Sequence, residues 1–419
     1  MSFIRPFPAL RPTPEYTQAV AAPPYDVVNT AEARHLAAGK PYSFLHISRP
    51  EIDLAENVDP YAPQVYQQGL ESFNAMLAQG VLRQDAQPCY YLYTLTMGQA
   101  GILPLHEQTG LAVAASVAEY NANRIRKHEF TRPDKEDDRV RQIQTLRAQT
   151  GPVLLAHPDH AGLNQIFAPY LRQPALFTVL GSDNVSHSLR VIDSPDDIAT
   201  ITQIFAAMPA LYIADGHHRS AAAARVAAAY QAANPNHTGA EPYNYFLAVT
   251  FPDCQMQIMD YNRVVKDLNG LTPEQLLARL TSCFTVEPRN LAAKPAQQGE
   301  IAMYLAGQWY TLTILPHCTP AHDPVAALDV SLLTQHILTP LLGITDLRRD
   351  KRIDFVGGIR GLRELERRVN SGEMAVAFAM YPTSLAELMA VADSGQVMPP
   401  KSTWFEPKLA DGLLSHMLE

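Results

Sequence analysis

One short stretch, Ala210-Leu-Tyr-Ile-Ala-Asp-Gly-His-His-Arg219, constrains this chain more than any other. Leu211 to Ala214 is an apolar run long enough for one buried strand. Asp215 and Gly216 interrupt it, and from Ser220 to Tyr230 the chain is alanine-rich, the composition with the highest helix propensity. The pattern predicts strand, tight turn, helix. Gly216 permits a backbone geometry that other residues resist. The first N–H groups of the helix then face out of the turn at its positive end, which is a ready anion site. A carboxylate, two imidazoles and a guanidinium surround it. Arg219 can grip phosphate oxygens as a planar fork, and Asp215 can hold a metal ion or orient a hydroxyl. Asp-Gly is also an ordinary turn, and Asp caps helices for structural reasons alone. Two histidines and an arginine at the same helix start lack such a reason, and the stretch reads as a phosphate-handling corner.

At 419 residues the chain exceeds what one core usually organises, so two domains are expected. A boundary near Asn269-Gly270 divides it into residues 1–269 and 270–419, because Thr272-Pro-Glu-Gln starts a fresh helix with a cap, a proline and an early acid. The net charge of −9 argues against a general nucleic-acid binder. The four cysteines, Cys89, Cys254, Cys283 and Cys318, are scattered without a CxxC pair. They suggest neither a zinc site nor a disulfide framework, and each is expected to be a small apolar filler. The N-terminal residues lack a signal-peptide pattern and no apolar run approaches bilayer length, so a soluble, cytoplasmic protein without a membrane partner is expected.

Along the first part, strands are expected at Ser43–Ser48, Cys89–Thr96, Thr109–Ser116, Gly151–Ala156 and Ser188–Ile192. Cys89–Thr96 and Thr109–Ser116 read as an antiparallel pair linked by Gly98–Gln108. Tyr243–Phe251 reads as a strand beside Leu211–Ala214. Helices are expected at Thr30–Gly39 with Thr30 as cap, Tyr61–Gly80, Pro133–Ala148, Leu163–Leu171 and Asp196–Met208. The second part alternates strands at 284–287, 300–305, 309–314, 354–356 and 375–380 with helices at 329–342, 362–371 and 383–392, which gives a smaller α+β domain.

Three further stretches carry chemistry. In the charged passage Arg124–Arg139 most residues suit a solvated helix start, but Lys127-His128-Glu129 sits just ahead of the helix. A carboxylate there beside His and Lys is a general-base candidate. Asp26, closing Ala22-Pro-Pro-Tyr-Asp26, is either a site residue or a turn cap. Lys401, Ser402 and Thr403 follow Pro399-Pro400 and offer a cation and two hydroxyls, suited to phosphate or carboxylate binding, or else to a solvated linker.

His128-Glu129, Asp215-Gly-His-His-Arg219 and Pro400-Lys-Ser-Thr403 stand in an order that resembles the archaeal ADP-dependent free L-serine kinases of the ParB/sulfiredoxin superfamily. Over nearly its full length the chain also resembles the bacterial and archaeal domain of unknown function 1015. The stretches that carry this second likeness are Ala22-Pro-Pro-Tyr-Asp26, Lys127-His-Glu129, Arg132-Pro-Asp-Lys135, Asp215–Arg219 and Met398-Pro-Pro-Lys-Ser-Thr403. The resemblance implies an α+β fold, a ParB/sulfiredoxin-like mixed sheet with helices plus a smaller C-terminal α+β domain whose tail returns to the site. It implies Glu129 as base with His128 beside it. It further implies donor phosphates of ADP or ATP on Asp215, Gly216, His217, His218 and Arg219, with Lys401, Ser402 and Thr403 closing the site. Asp26, Lys127 and Arg132 are the implied contacts to a serine-like substrate, and Asp215 the implied Mg²⁺ ligand. An alternative is a ParB-like nucleotide-binding regulator without turnover. A nuclease would need an acidic metal cluster beyond Asp215 and Glu129.

Overall fold

The strand–turn–helix expected around Asp215 is present near one edge of a nine-stranded mixed sheet. The computed structural model describes residues 2–98, 105–320 and 322–419, so residues 99–104 of the expected Gly98–Gln108 link lie outside the described residues. The chain divides into two compact units. One comprises Met1–Met256 with Pro407–Glu419, the other Gln257–Glu406.

The sheet of the first unit uses β1 (Ile4–Arg5), β2 (Tyr90–Met97), β3 (His106–Ser116), β4 (Ile125–Arg126), β5 (Val153–His157), β6 (Phe177–Leu180), β7 (Ser186–Ile192), β8 (Leu211–Asp215) and β9 (Tyr245–Pro252). Their order is β4-β8-β5-β9-β3-β2-β7-β6, with β1 also paired to β3. Two of the pairings are parallel, β4 with β8 and β5 with β9. β9 therefore does not lie beside β8 as expected. β5 is inserted between them, antiparallel to β8. The apolar runs of β5, β8 and β9 are interchangeable as sequence, so neighbour order is decided by the connections and not by the strands.

Four helices matter for the site: α1 (Pro133–Leu146), α2 (Ala161–Leu171), α3 (Pro195–Ala207) and α4 (His217–Ala233). Leu163, Phe167, Ile201 and Phe205 from α2 and α3 join Leu92, Leu111, Val113, Leu155 and Ile213 of the sheet in the main core. α4 serves two cores. Ala223 and Ala227 enter the main one, while Ala222 and Val226 pack with Ile143 of α1, Tyr243 and Leu418. A helix wedged in this way must be thin on both sides, which alanine supplies beyond its propensity.

Several local expectations are corrected. Ser43–Ser48 is no strand, since Leu45–Ser48 is a helical turn. The helix from Thr30 is capped by Asn29, whose side chain accepts from Glu32 N–H while Glu32 returns the bond. α4 begins at His217, three residues before the alanine run. The helix expected over 329–342 is α-helical only over Asp329–Leu333 and continues as a π-helical turn, Thr334–Leu338. Cys283 and Cys318 are not separate fillers but are disulfide-bonded, with Cα atoms 5.8 Å apart.

The second unit is built on a six-stranded antiparallel sheet. Its capping box at Thr272 and its strands Glu300–Leu305 and Gln308–Ile314 follow the pattern read from the sequence. The α+β class with a large mixed sheet holds. The last thirteen residues belong to the first unit, where His416–Met417 pairs with Ala148–Gln149.

Candidate active site

The parallel pairing of β4 with β8 sets Leu211 against Ile125 and Tyr212 against Arg126. Because the strands run the same way, the residues that follow each of them leave the sheet at the same end. Lys127-His128-Glu129 and Asp215–Arg219, far apart in sequence, are thereby delivered together. His128 and His217 meet edge to face with ring centroids 4.5 Å apart. The His128 backbone N–H points at His217 Nε2 at 3.5 Å, which leaves the proton on Nδ1, and Nδ1 lies 3.9 Å from Glu129 Oε2. Glu129 keeps 45% of its side chain exposed while His217 keeps 5%. The buried imidazole thus stands behind an accessible carboxylate without itself reaching solvent.

Gly216 caps α4 with φ 99° and ψ 28°, and no side chain caps the helix. A β-carbon there would stand 3.2 Å from Arg219 Nε and 3.3 Å from Val153 Cα. Only glycine serves both constraints. The first intrahelical bond is Ser220 N–H to the Gly216 carbonyl, so the N–H groups of His217, His218 and Arg219 precede it at the positive end of a long helix. His218 Nε2 accepts from the Arg132 backbone N–H at 3.0 Å, tying the start of α1 to the start of α4.

Arg219 is buried. Its guanidinium donates to the Pro152 carbonyl and stands 3.7 Å from Asp26 and 3.8 Å from Asp215. Among the described residues its Nε has no hydrogen-bond partner. Burial alone would lower its pKa, but Asp26 and Asp215 hold it above the usual arginine range. Asp215 shows the mirror image. Burial would raise it, yet Lys408 and Arg219 bring it below the usual carboxylate range. Lys408 Nζ donates to Asp215 Oδ2 at 3.0 Å. With Lys408 on one oxygen and Arg219 facing the other, the carboxylate is already balanced by cations. This donor set fits a resident metal poorly.

Burial lowers the pKa of His128 to about 4, and that of His217 well below its ordinary value with help from neighbouring His128. His218 is shifted the same way by burial. All three are neutral imidazoles at neutral pH. Lys127 is also lowered by burial, with its ammonium 4.0 Å over the Tyr120 ring. Arg132 is more peripheral and pairs with Asp134 at 2.9 Å on the exposed face of α1.

Four residues of the site were not foreseen: Tyr25, Arg139, Lys408 and Asp411. Asp411 is buried, accepts the Tyr25 N–H at 3.1 Å with Oδ2, and has an Oδ1 without a hydrogen-bond partner among the described residues. Burial pushes its pKa up to about 7. The Arg139 guanidinium lies 3.8 Å over the Tyr25 ring. Tyr25, Arg139, Arg219 and Asp411 line a cavity of about 30 Å³, room for ordered water. The signal for Lys408 and Asp411 was the apolar tail Leu409–Leu418, which a core must cover. A wider groove of about 870 Å³ lies away from these groups, between α2, α3 and β7.

Lys401, Ser402 and Thr403 belong to the second unit. There Lys401 has φ 62° and its carbonyl accepts from Arg263 at 2.9 Å. Ser402 Oγ donates to Pro399 O, and Thr383 donates to the Ser402 carbonyl. These bonds fold the Pro-Lys-Ser-Thr segment into a fixed turn rather than a loose linker.

The family described as "Protein of unknown function (DUF1015)" matches residues 4–331. The chain belongs to that family. The matched span of this DUF1015 member contains Asp26, the 127–129 segment and the 215–219 turn. No curated protein matches the chain. Among solved structures it is similar to a free serine kinase in complex with AMP, at 13% identity and TM-score 0.36, over 72% of this chain and 92% of that one. It is similar to a conserved hypothetical protein from Pyrococcus furiosus at 15% identity and TM-score 0.36, covering 73% and 95%. SbnI with C-terminal truncation from Staphylococcus aureus aligns at 13% identity and TM-score 0.39, covering 73% and 87%. Among the described residues no helix is long and apolar enough to cross a membrane.

Proposed function

We propose that this protein is a nucleotide-dependent phosphotransferase acting on a small hydroxyl compound, with free L-serine the first candidate acceptor. The observation that carries the reading is the meeting of Glu129, His128 and His217 at the start of α4, produced by the parallel β4–β8 pair. The order of the three motifs, which resembles that of the free serine kinases, supports it independently.

In this reading the donor phosphates of ADP or ATP lie on the backbone N–H groups of residues 216–219, with His218 beside them and the buried Arg219 charge behind. Phosphoryl transfer asks the protein mainly for positioning and charge neutralisation. Glu129 takes the hydroxyl proton as the acceptor oxygen bonds to phosphorus, and the bond from phosphorus to the nucleotide's bridging oxygen breaks. His217, neutral and protonated on Nδ1, orients Glu129. Lys408 and Arg219 keep Asp215 ionised, and Asp26, Lys127 and Arg132 contact the acceptor. Mg²⁺, where it takes part, would come with the nucleotide rather than reside on Asp215 and would supply neutralisation of phosphate charge.

The test is to incubate the full chain with ADP or ATP, Mg²⁺ and pooled amino acids and to read phosphorylated product. Glu129→Gln should lower turnover about 10²–10⁴-fold while leaving nucleotide affinity within a few-fold. Full activity in that variant would remove Glu129 from the mechanism. Nucleotide binding with no turnover on any acceptor would favour a nucleotide-binding regulator.

A further inference from the structure

The second unit brings together three metal-ligating side chains that the proposed phosphotransferase leaves unused. Cys283 follows the helix Pro273–Leu280, Cys318 closes the turn Pro316–Cys318, and His336 sits in the π-helical turn Thr334–Leu338. The two sulfurs and one ring nitrogen of His336 all lie within 4.8 Å of one another. All three residues are half-buried, so a small ion has access while bulk water is partly excluded.

Two features go beyond proximity. His336 Nε2 is 3.1 Å from the Cys318 carbonyl oxygen. A carbonyl only accepts, so Nε2 carries the proton and Nδ1 keeps its lone pair. Metal-bound imidazoles commonly anchor their other ring N–H on a backbone carbonyl in this way. The cysteine backbones are also fixed independently of the S–S bond. Cys283 N–H donates to Leu280 O at 3.1 Å, its carbonyl accepts Leu315 N–H at 2.8 Å, and Cys318 N–H donates to Leu315 O at 2.9 Å. Opening the disulfide would therefore leave the two sulfurs near each other. A π-helical turn at His336 is a further mark, since such turns recur at functional sites.

We propose that the reduced Cys283–Cys318 pair and His336 bind one divalent cation of the zinc type, with water in the fourth position. Reduction takes two electrons and two protons from two small-molecule thiols, which leave as their own disulfide. Binding then releases the two cysteine thiol protons to solvent as both sulfurs coordinate as thiolates, and the neutral imidazole releases none. The oxidised pair, with its sulfurs joined, offers no thiolate. The site is thus occupied only under reducing conditions.

The experiment uses the full chain carrying Cys254→Ser, which removes the exposed free thiol. It is reduced with excess small thiol, freed of reductant without air, and titrated with Co²⁺. The expected result is one equivalent of cobalt with a near-ultraviolet thiolate-to-cobalt band, bleached stoichiometrically by Zn²⁺ and absent in the oxidised protein. Cys283→Ser and Cys318→Ser should each lose the high-affinity site, and His336→Ala should weaken it at least tenfold. A reduced protein with no such band, or the same band in Cys283→Ser, overturns the proposal and leaves a purely structural disulfide. The oxidised-against-reduced comparison and His336→Ala decide the matter even if a cysteine variant fails to fold.

Discussion

Lys408 Nζ meets Asp215 Oδ2 at 3.0 Å although 193 residues separate the two along the chain. The contact closes the C-terminal tail onto the turn that starts α4. Lys408→Met, which keeps the apolar stem and removes the charge, is expected to destabilise the first unit by about 1–3 kcal/mol at pH 7, because Asp215 is left with one cation fewer. The pH sign follows from the direction of the shift. Asp215 lies below the usual carboxylate range when folded, so its contribution is present above that range and is lost as pH falls through the folded value. Urea midpoints of parent and variant should therefore be well separated at pH 7, still apart at pH 4, and draw together only as pH falls below about 3. A constant gap would show that Lys408 acts by packing alone.

Gly216 and Gly239 have similar positive φ values, 99° and 92°, but a β-carbon at Gly239 meets nothing within 4 Å. Substituting alanine at Gly239 isolates the backbone term, about 1–2 kcal/mol. Gly216→Ala adds the clash with Arg219 and Val153 and should cost more, and it should also weaken nucleotide binding. Equal urea midpoints for the two variants would mean that Arg219 simply moves aside.

Much of this was legible before coordinates. The Leu211–Ala214 run, the Asp-Gly break and the alanine run each report a local preference, and local preferences are what sequence encodes directly. From its own residues the motif at 127–129 could be placed only at a helix start, and its place opposite the 215–219 turn came from the resemblance alone, because the juxtaposition depends on the parallel β4–β8 pair, and β4 is only two residues long. The insertion of β5 between β8 and β9 was hidden for the related reason that three buried strands of similar composition carry no label of their neighbours. Lys408 and Asp411 were missed because a lysine and an aspartate in a terminal segment read as solvated. Burial by Leu409, Leu413 and Leu414 reverses that reading. The Cys283–Cys318 pair carried no spacing signal at all.

Asp411 gives a prediction of opposite sign to Asp215. Its folded pKa is pushed up to about 7 by burial, so the folded protein holds a proton that the unfolded chain has already lost between the ordinary carboxylate value and pH 7. Stability from this group is full in acid and declines as pH rises to about 7. Asp411→Asn retains an oxygen to accept the Tyr25 N–H and cannot ionise. Relative to the parent, the variant should gain urea resistance from pH 5 to about pH 7 and level off above it. Parallel profiles would show that Asp411 is not protonated in the folded protein.

The acid limit of the first unit should be set by its histidines. Burial holds His128 at about 4, His157 at about 3, His187 at about 4 and His416 at about 4, and holds His217 well below its ordinary value. For each, the unfolded chain takes up a proton near pH 6.5 while the folded one resists, until about pH 3–4 for His128, His157, His187 and His416 and well below the ordinary range for His217. Stability is therefore intact above about pH 6.5 and drains away below it. Together with His218, which burial also lowers, these groups outweigh the opposing contributions of Asp411 and of His46, whose bond to Asp53 raises its pKa. In the second unit the leading buried titratable group, Asp329, is pushed up to about 7 by burial and works the other way, favouring the fold as pH falls. Both tryptophans, Trp309 and Trp404, lie in that unit. Tryptophan fluorescence thus follows the second unit, while far-ultraviolet circular dichroism follows both. Between pH 7.5 and pH 5 the dichroism transition in urea should move to lower denaturant while the fluorescence transition holds or moves higher. His416→Gln, whose amide can still donate to the Pro242 carbonyl that now faces His416 Nε2 at 3.0 Å, should flatten part of the dichroism shift. If both probes moved together toward lower urea and His416→Gln left the slope unchanged, the buried histidines would not be what sets the acid limit.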